Sequence, residues 1–137
     1  MSLSLDPVTA KRLSGMTVDE LLADGRLFVV DYSSQASLIR TNLSAAACDA
    51  YFFIHPNSSK FLPLAIVTNT GANLTYTPLD TANDWLLAKI MFNVNDLWFA
   101  TWYHFAGSHF VVEIVTEAAI CTLSDNHPVL ALVKRRE

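Results

Sequence analysis

Apolar and polar positions change their spacing several times along this chain, and each change marks a different kind of element. LDPVTAKRLSG and MTVDELLADG read as two short helices. Asp6 stands before Pro7 as an N-cap ahead of a proline in the first helical position. Thr17 and Glu20 have capping-box spacing, and Gly15 and Gly25 are natural stops. RLFVVDY is a short run rich in β-formers, bounded by Gly25 and Ser33-Ser34, and predicts a strand, so 6–32 holds short helices and a strand. Residues 35–47 are either helix or irregular. CDAYFFIHP and KFLPLAIVTN flank the turn chemistry of Asn57-Ser58-Ser59 and predict a β-hairpin over 48–69. Pro63 makes its second strand an edge strand, or starts it after the proline. The segment TGANLTYTPLDTAND, 70–84, reads as loop.

Two long apolar helices follow. The first is predicted over 85–106, with Thr81, Asn83 or Asp84 as cap. Gly107-Ser108 breaks or bends it, and a second helix runs over 109–123. SDNHP then feeds Pro128 into the start of a third helix. The predicted class is therefore mainly α with a small β-hairpin. The apolar residues of the first long helix, from Trp85 through Phe105, go most of the way round it. A helix of that kind belongs in the centre of a large protein. It is not expected to span a membrane. Lys89, Asn93, Asn95, Asp96 and His104 interrupt it, whereas a span needs about 20 mostly apolar residues.

Composition sharpens this picture. At 137 residues the chain is one domain at most. It is 52% hydrophobic and only 16% charged, against usual values of about 45–50% and about 25%. It has more apolar surface to hide than a free domain of its length, so it either associates or is a piece of something larger. A net charge of −4 with nine Lys and Arg gives no basic groove. The one basic run, Lys134-Arg135-Arg136, sits at the end, and no nucleic-acid partner is expected. Cys48 and Cys121 lie far apart in unrelated contexts; one disulfide is the alternative, and two free buried thiols are expected. No signal peptide is visible at the start. Three glycosylation sequons, at Asn42, Asn57 and Asn73, matter only if the chain enters a secretory pathway, so its location stays open.

The candidate chemistry lies in the histidines. On a regular helix His104 and His109, five apart, point about 140° away from each other and do not converge. A π-bulge or a break at Gly107 brings them closer. Position 100 is better placed to partner His104, because residues four apart share a face, but it is Ala100. Asn93 lies near the same face, too far for one ion. His109 and Glu113 share a face suited to a charge-assisted hydrogen bond. His55 reads as structural or exposed, and His127 as a turn residue. There is no glycine-rich phosphate loop, Cys-x-x-Cys or Gly-x-Ser-x-Gly elbow, and no catalytic nucleophile is assigned.

A set of pieces in fixed order carries a resemblance. They are Trp85-Leu86-Leu87-Ala88-Lys89, the Asn95-Asp96 pair, His104, His109, Glu113 and the Leu123-to-Pro128 turn, LSDNHP. Together with the strand region ahead of them they resemble lipoxygenases. KIMFNVND is similar to the fungal branch, which includes the secreted manganese lipoxygenases. The resemblance covers the chain from about Asp6 onward and implies a partial lipoxygenase-like helical catalytic domain. It implies dioxygenation of polyunsaturated fatty acids, in which hydrogen is removed from a bis-allylic carbon and O2 adds to the resulting radical. It also implies manganese or iron held by five ligands: two histidines on this helix, two residues on a later helix, and a terminal carboxylate. Of these the resemblance assigns His104 here, places Ala100 at the first-ligand position, and leaves His109 as a supporting or alternative ligand. Cys121 stands where an arginine is common. One imidazole does not hold a redox metal, so the chain alone is expected to be inactive and to lack a C-terminal portion of the domain. The alternative is a degenerate, non-catalytic lipoxygenase-like protein that binds a lipid or a partner.

Overall fold

The computed structural model describes residues 7–38, 46–69 and 73–133. Asp6, the sequon at Asn42 and the basic run 134–136 lie outside the described residues. The chain divides into two units, Met1–Asp96 and Leu97–Glu137.

The first unit is a four-stranded antiparallel sheet with helices on both faces. Helix α1 spans Pro7–Ser14 and α2 spans Val18–Ala23. The predicted capping box closes α2: the Thr17 side chain accepts from the Glu20 N–H, and the Glu20 carboxylate accepts from the Thr17 N–H at 2.7 Å. Those bonds from Thr17, the backbone one first, hold the Glu20 carboxyl below its ordinary range. Gly15 and Gly25 end the two helices at φ +80° and +65°, a region that glycine enters without a Cβ penalty. Strand β1 is Leu27–Asp31, and a 3-10 turn, Ser33–Ser37, follows.

Strands β2 (Cys48–Ile54) and β3 (Phe61–Asn69) form the predicted hairpin. His55 anchors the turn by accepting the Asn57 and Ser58 N–H groups at Nδ1, at 3.2 and 3.3 Å. The hairpin is the middle of a larger sheet, ordered β1-β2-β3-β4. Strand β4, Asn73–Tyr76, lies inside the stretch read as loop. Four residues pairing Ile66 to Asn69 are too few for a pattern to show. The two sequon asparagines among these residues, Asn57 and Asn73, are exposed.

Strand β2 is central, and its side chains alternate between two cores. Tyr51 and Phe53 pack with Ala10, Leu21, Leu64 and Ala65 on the α1–α2 side. Cys48 and Ala50 pack with Ile66 and Ala88 on the other side, flanked by Phe52, Trp85 and Phe92. This is why β2 reads as a nearly unbroken apolar run. The prediction for Pro63 is half met. The β2–β3 register slips between Tyr51 and Phe52, so Pro63 faces Phe52 while Ala65 faces Tyr51. Because β4 covers only Ile66–Asn69, β3 is interior there and an edge at Pro63. That edge is where a residue without an N–H is tolerated.

Helix α3 spans Ala82–Phe99, starting three residues before the predicted bound. Of the three cap candidates Thr81 is the cap, its hydroxyl accepting the Asp84 N–H at 3.2 Å. Aromatic packing and three polar bonds seat α3 on the sheet. Phe92 meets Phe52 and Tyr32 at 6.0 and 5.6 Å between ring centroids. The buried Asn95 accepts the Cys48 N–H at Oδ1, at 2.9 Å, and its carbonyl accepts from Gln35 Nε2 at 3.0 Å. The Tyr32 hydroxyl donates to Asp96 Oδ1 at 2.6 Å. Burial, and next the Asp96 carboxylate, push the Tyr32 phenol up.

In the second unit the helix continues as a π-helix over Ala100–Phe110, then as α4, Val111–Thr122. Helix α5 is Pro128–Val133, and His127 Nδ1 accepts the Val129 N–H at its start. No break occurs at Gly107, contrary to the predicted division at 107–108. The run Ala82–Thr122 is long and apolar enough to cross a membrane by length and composition alone. Its interior charges and amides argue against a span. Large apolar side chains are exposed along it, Trp102 at 59% and Ile114 at 69% among them. Both cysteines are free; Cys48 is buried, as expected, but Cys121 is exposed. Burial pushes the Cys48 thiol up to about 11, which leaves it protonated at neutral pH.

Asn95→Ala should lower stability by about 1–3 kcal/mol, because it strands the buried Cys48 N–H. The exposed Asn93→Ala should stay within about 0.5 kcal/mol of the parent. Urea unfolding followed by tryptophan fluorescence distinguishes them; equal midpoints would contradict the seating role.

Candidate metal centre

The π segment decides where the histidines point. An i→i+5 ladder brings residues five apart to where residues four apart stand on an α-helix. Three ring pairs at that spacing show the effect. Trp98 meets Tyr103 at 5.8 Å, Phe105 meets Phe110 at 4.8 Å, and His104 meets His109 at 4.9 Å. Phe99 stacks on Tyr103 at 5.1 Å. Two hydroxyls bond carbonyls four residues earlier. Thr101 Oγ1 donates to the Leu97 carbonyl at 2.8 Å, and Ser108 Oγ donates to the His104 carbonyl. Gly107 is not a steric necessity: a Cβ there would meet the Trp102 carbonyl at an ordinary 3.6 Å.

His104 and His109 therefore converge, and the divergence expected of a regular helix is overturned. Their Nε2 atoms are 3.2 Å apart. His109 engages His104 in place of Glu113. Ala100 opens the π segment and brings no donor atom. Both rings are exposed.

The fit to a metal can be tested on that distance. Two imidazole nitrogens bound side by side to one ion at about 2.1 Å stand about 3.0–3.4 Å apart. The observed separation lies inside that range, so the pair can serve as two ligands of one ion. Among the described residues no group of three or more His, Cys, Asp or Glu side chains is placed to hold a metal. The pair is half of a donor set at most. Sequence reasoning found both residues and allowed their convergence only through a π-bulge or a break at Gly107; the structure supplies a π-helix and no break. The signal that reveals it is the repeated five-residue spacing of rings, Trp98/Tyr103, His104/His109 and Phe105/Phe110.

Comparison with known proteins shows what the chain is similar to. The chain is 51% identical over 133 residues to the manganese lipoxygenase of Fusarium oxysporum, covering 96% of this chain and 22% of that protein. It is 53% identical over 133 residues to the manganese lipoxygenase of Pyricularia oryzae, with the same coverage. A solved manganese lipoxygenase structure superposes with a TM-score of 0.84 at 52% identity, covering 97% of this chain and 24% of that one. The chain is thus homologous to manganese lipoxygenases and spans about a fifth of the length of the relatives it matches. No protein-family model matches it.

Zinc, used as a spectroscopically silent probe, should bind the chain weakly through the pair. His104→Ala and His109→Ala should each reduce affinity at least about tenfold, or about 1.4 kcal/mol. Ala100→Ser should leave it unchanged. Calorimetric titration measures all four proteins. Affinity that survives His109→Ala would break the pairing.

Proposed function

We propose that this chain supplies the two-histidine helix of a metal-dependent lipoxygenase, with His104 and His109 as the ligand pair. The observation that carries this reading is the 3.2 Å separation of their Nε2 atoms on a π-helix. It replaces the reading in which position 100 completes the pair, since Ala100 has no donor and His104 already faces His109. Homology to manganese lipoxygenases supports manganese as the ion. When bound, that ion supplies the one-electron redox chemistry that dioxygenation of a polyunsaturated fatty acid requires. The chain's own contribution is positional. The π ladder brings the two Nε2 atoms to 3.2 Å, where two imidazoles carrying their protons on Nδ1 would each offer an Nε2 lone pair to a shared ion. The two histidines need further donors from the remainder of a lipoxygenase domain, so the chain by itself holds manganese weakly and is inactive.

A second reading is a non-catalytic lipoxygenase-like chain that binds a lipid or a partner. It draws on the incomplete donor set among the described residues.

A chimera separates the two. The matching segment of a manganese lipoxygenase is replaced by this chain, and manganese content and conjugated-diene formation from linoleate are measured. The proposal expects a metal-loaded, active chimera that loses manganese and activity with His104→Ala or His109→Ala. A folded chimera that holds no manganese favours the non-catalytic reading. One that keeps its manganese without either histidine refutes the ligand assignment.

A further inference from the structure

Asp31 and Asp49 face each other across β1 and β2. The Tyr32 N–H donates to the Cys48 carbonyl at 3.1 Å, and the Ile54 N–H donates to the Arg26 carbonyl at 3.0 Å. That phase of the ladder puts Asp31 and Asp49 at a non-hydrogen-bonded position, where facing side chains are closest and Cα atoms are about 4.5 Å apart. Like charges directly opposite destabilise a sheet. Among the described residues no counter-charge compensates here. The same face carries Val29 and Tyr51, and Val67 of β3 stands opposite Asp49. Helix α2 brings only another acid, Asp19, to the groove beside Val29 and Tyr51. On the other face Cys48 is a neutral thiol, and Asp96 is bonded to Tyr32.

The two carboxyls are not equivalent. Asp31 is exposed, and its Oδ1 accepts the Ser33 N–H at 2.8 Å. Asp49 is 8% exposed, and its Oδ1 has no hydrogen-bond partner. A buried carboxylate oxygen without a donor is costly. A proton on Asp49, donated to the Asp31 carboxylate, would remove both the orphan and the repulsion.

We propose that Asp31 and Asp49 share one proton, in a carboxyl–carboxylate hydrogen bond that fastens the end of edge strand β1 to β2 and lets it go when the proton leaves. Burial first, and then the Asp31 charge, push Asp49 up to about 6, from an ordinary value of 3.8. The Ser33 hydroxyl and N–H hold Asp31 below its ordinary range. The signs follow from these directions. Asp49 is raised in the folded state, so its contribution is fully present below 3.8 and is lost as pH rises through about 6. Asp31 is lowered, so its contribution is present above 3.8 and is lost only as pH falls below it. The window between the ordinary carboxyl range and about 6 belongs to Asp49.

The test is a carboxyl-carbon NMR titration of the 137-residue chain, with amide exchange at Tyr32 as the readout of the β1 end. One aspartate should titrate near pH 6 and vanish in Asp49→Asn. In Asp31→Asn its midpoint should fall by about one pH unit or more. Tyr32 exchange, corrected for intrinsic base catalysis, should be slower at pH 5 than at pH 7.5 in the parent. It should lose that dependence in Asp49→Asn, whose amide keeps a donor toward Asp31. If Asp49→Asn does not fold, the parent and Asp31→Asn titrations decide alone. An Asp49 midpoint near 4, or one unmoved by Asp31→Asn, overturns the proposal. So does collapse of the raised midpoint on adding millimolar calcium, which would make the pair a cation site.

Discussion

The bond from the Cys48 N–H to the Asn95 side chain is the constraint on which the first unit rests. It joins the start of the central strand to the last turns of α3 at a point where neither group can reach water. The Cys48 carbonyl meanwhile accepts the Tyr32 N–H at 3.1 Å, so both backbone groups of Cys48 are bonded where the strand meets the helix. With that bond in place, Gln35 reaches the Asn95 carbonyl and Tyr32 reaches Asp96. Three segments far apart in sequence thereby agree on one position for the helix. The aromatic contacts of Phe92 tolerate sliding in a way that directional bonds do not. Apolar burial holds α3 on the sheet, and the amide fixes its register.

In the second unit the same division of labour appears with different parts. Rings packed edge to face at five-residue spacing supply packing along the π-helix, and two hydroxyls, Thr101 and Ser108, supply direction by bonding carbonyls of the preceding turn. The histidine pair is a by-product of that ladder: it costs no strained backbone, and Gly107 needs no special conformation. An element of this kind is rare and mostly short, and it is frequent at functional sites. Eleven residues in this geometry set an unusually long stretch of side chains to a five-residue repeat.

Much of the fold was legible because strong local signals coincided with it. The capping box at Thr17, the two glycine stops, the Asn57-Ser58-Ser59 turn and Pro128 each act within a few residues of themselves. The hairpin was readable from its apolar flanks, and the long helix from its length. What escaped was set by distant partners. Strand β4 exists because Ile66 to Asn69 offer it a ladder. Its four residues carry no period of their own. The double role of β3, interior at one end and edge at the other, depends on how short β4 is. The histidine geometry was legible only as an alternative. A regular α-helix was the default for a long apolar run, and on that default the two imidazoles diverge. Family resemblance pointed to this helix and put the first-ligand position at Ala100, whereas the geometry brings His109 next to His104. Nothing in composition hinted at Asp31 facing Asp49, because register is a property of the sheet.

The split character of β3 also bears on how the chain keeps to itself. Over its first residues no described strand pairs one side of β3, next to a Phe61 ring that is 59% exposed. A bare strand edge beside an aromatic side chain is a template for another copy to add on. Pro63 removes a donor from that edge, and the slip at Leu64 breaks the even spacing that an incoming strand needs. The irregularity that spoils the hairpin's ladder thus guards against edge-to-edge aggregation in a chain rich in apolar surface.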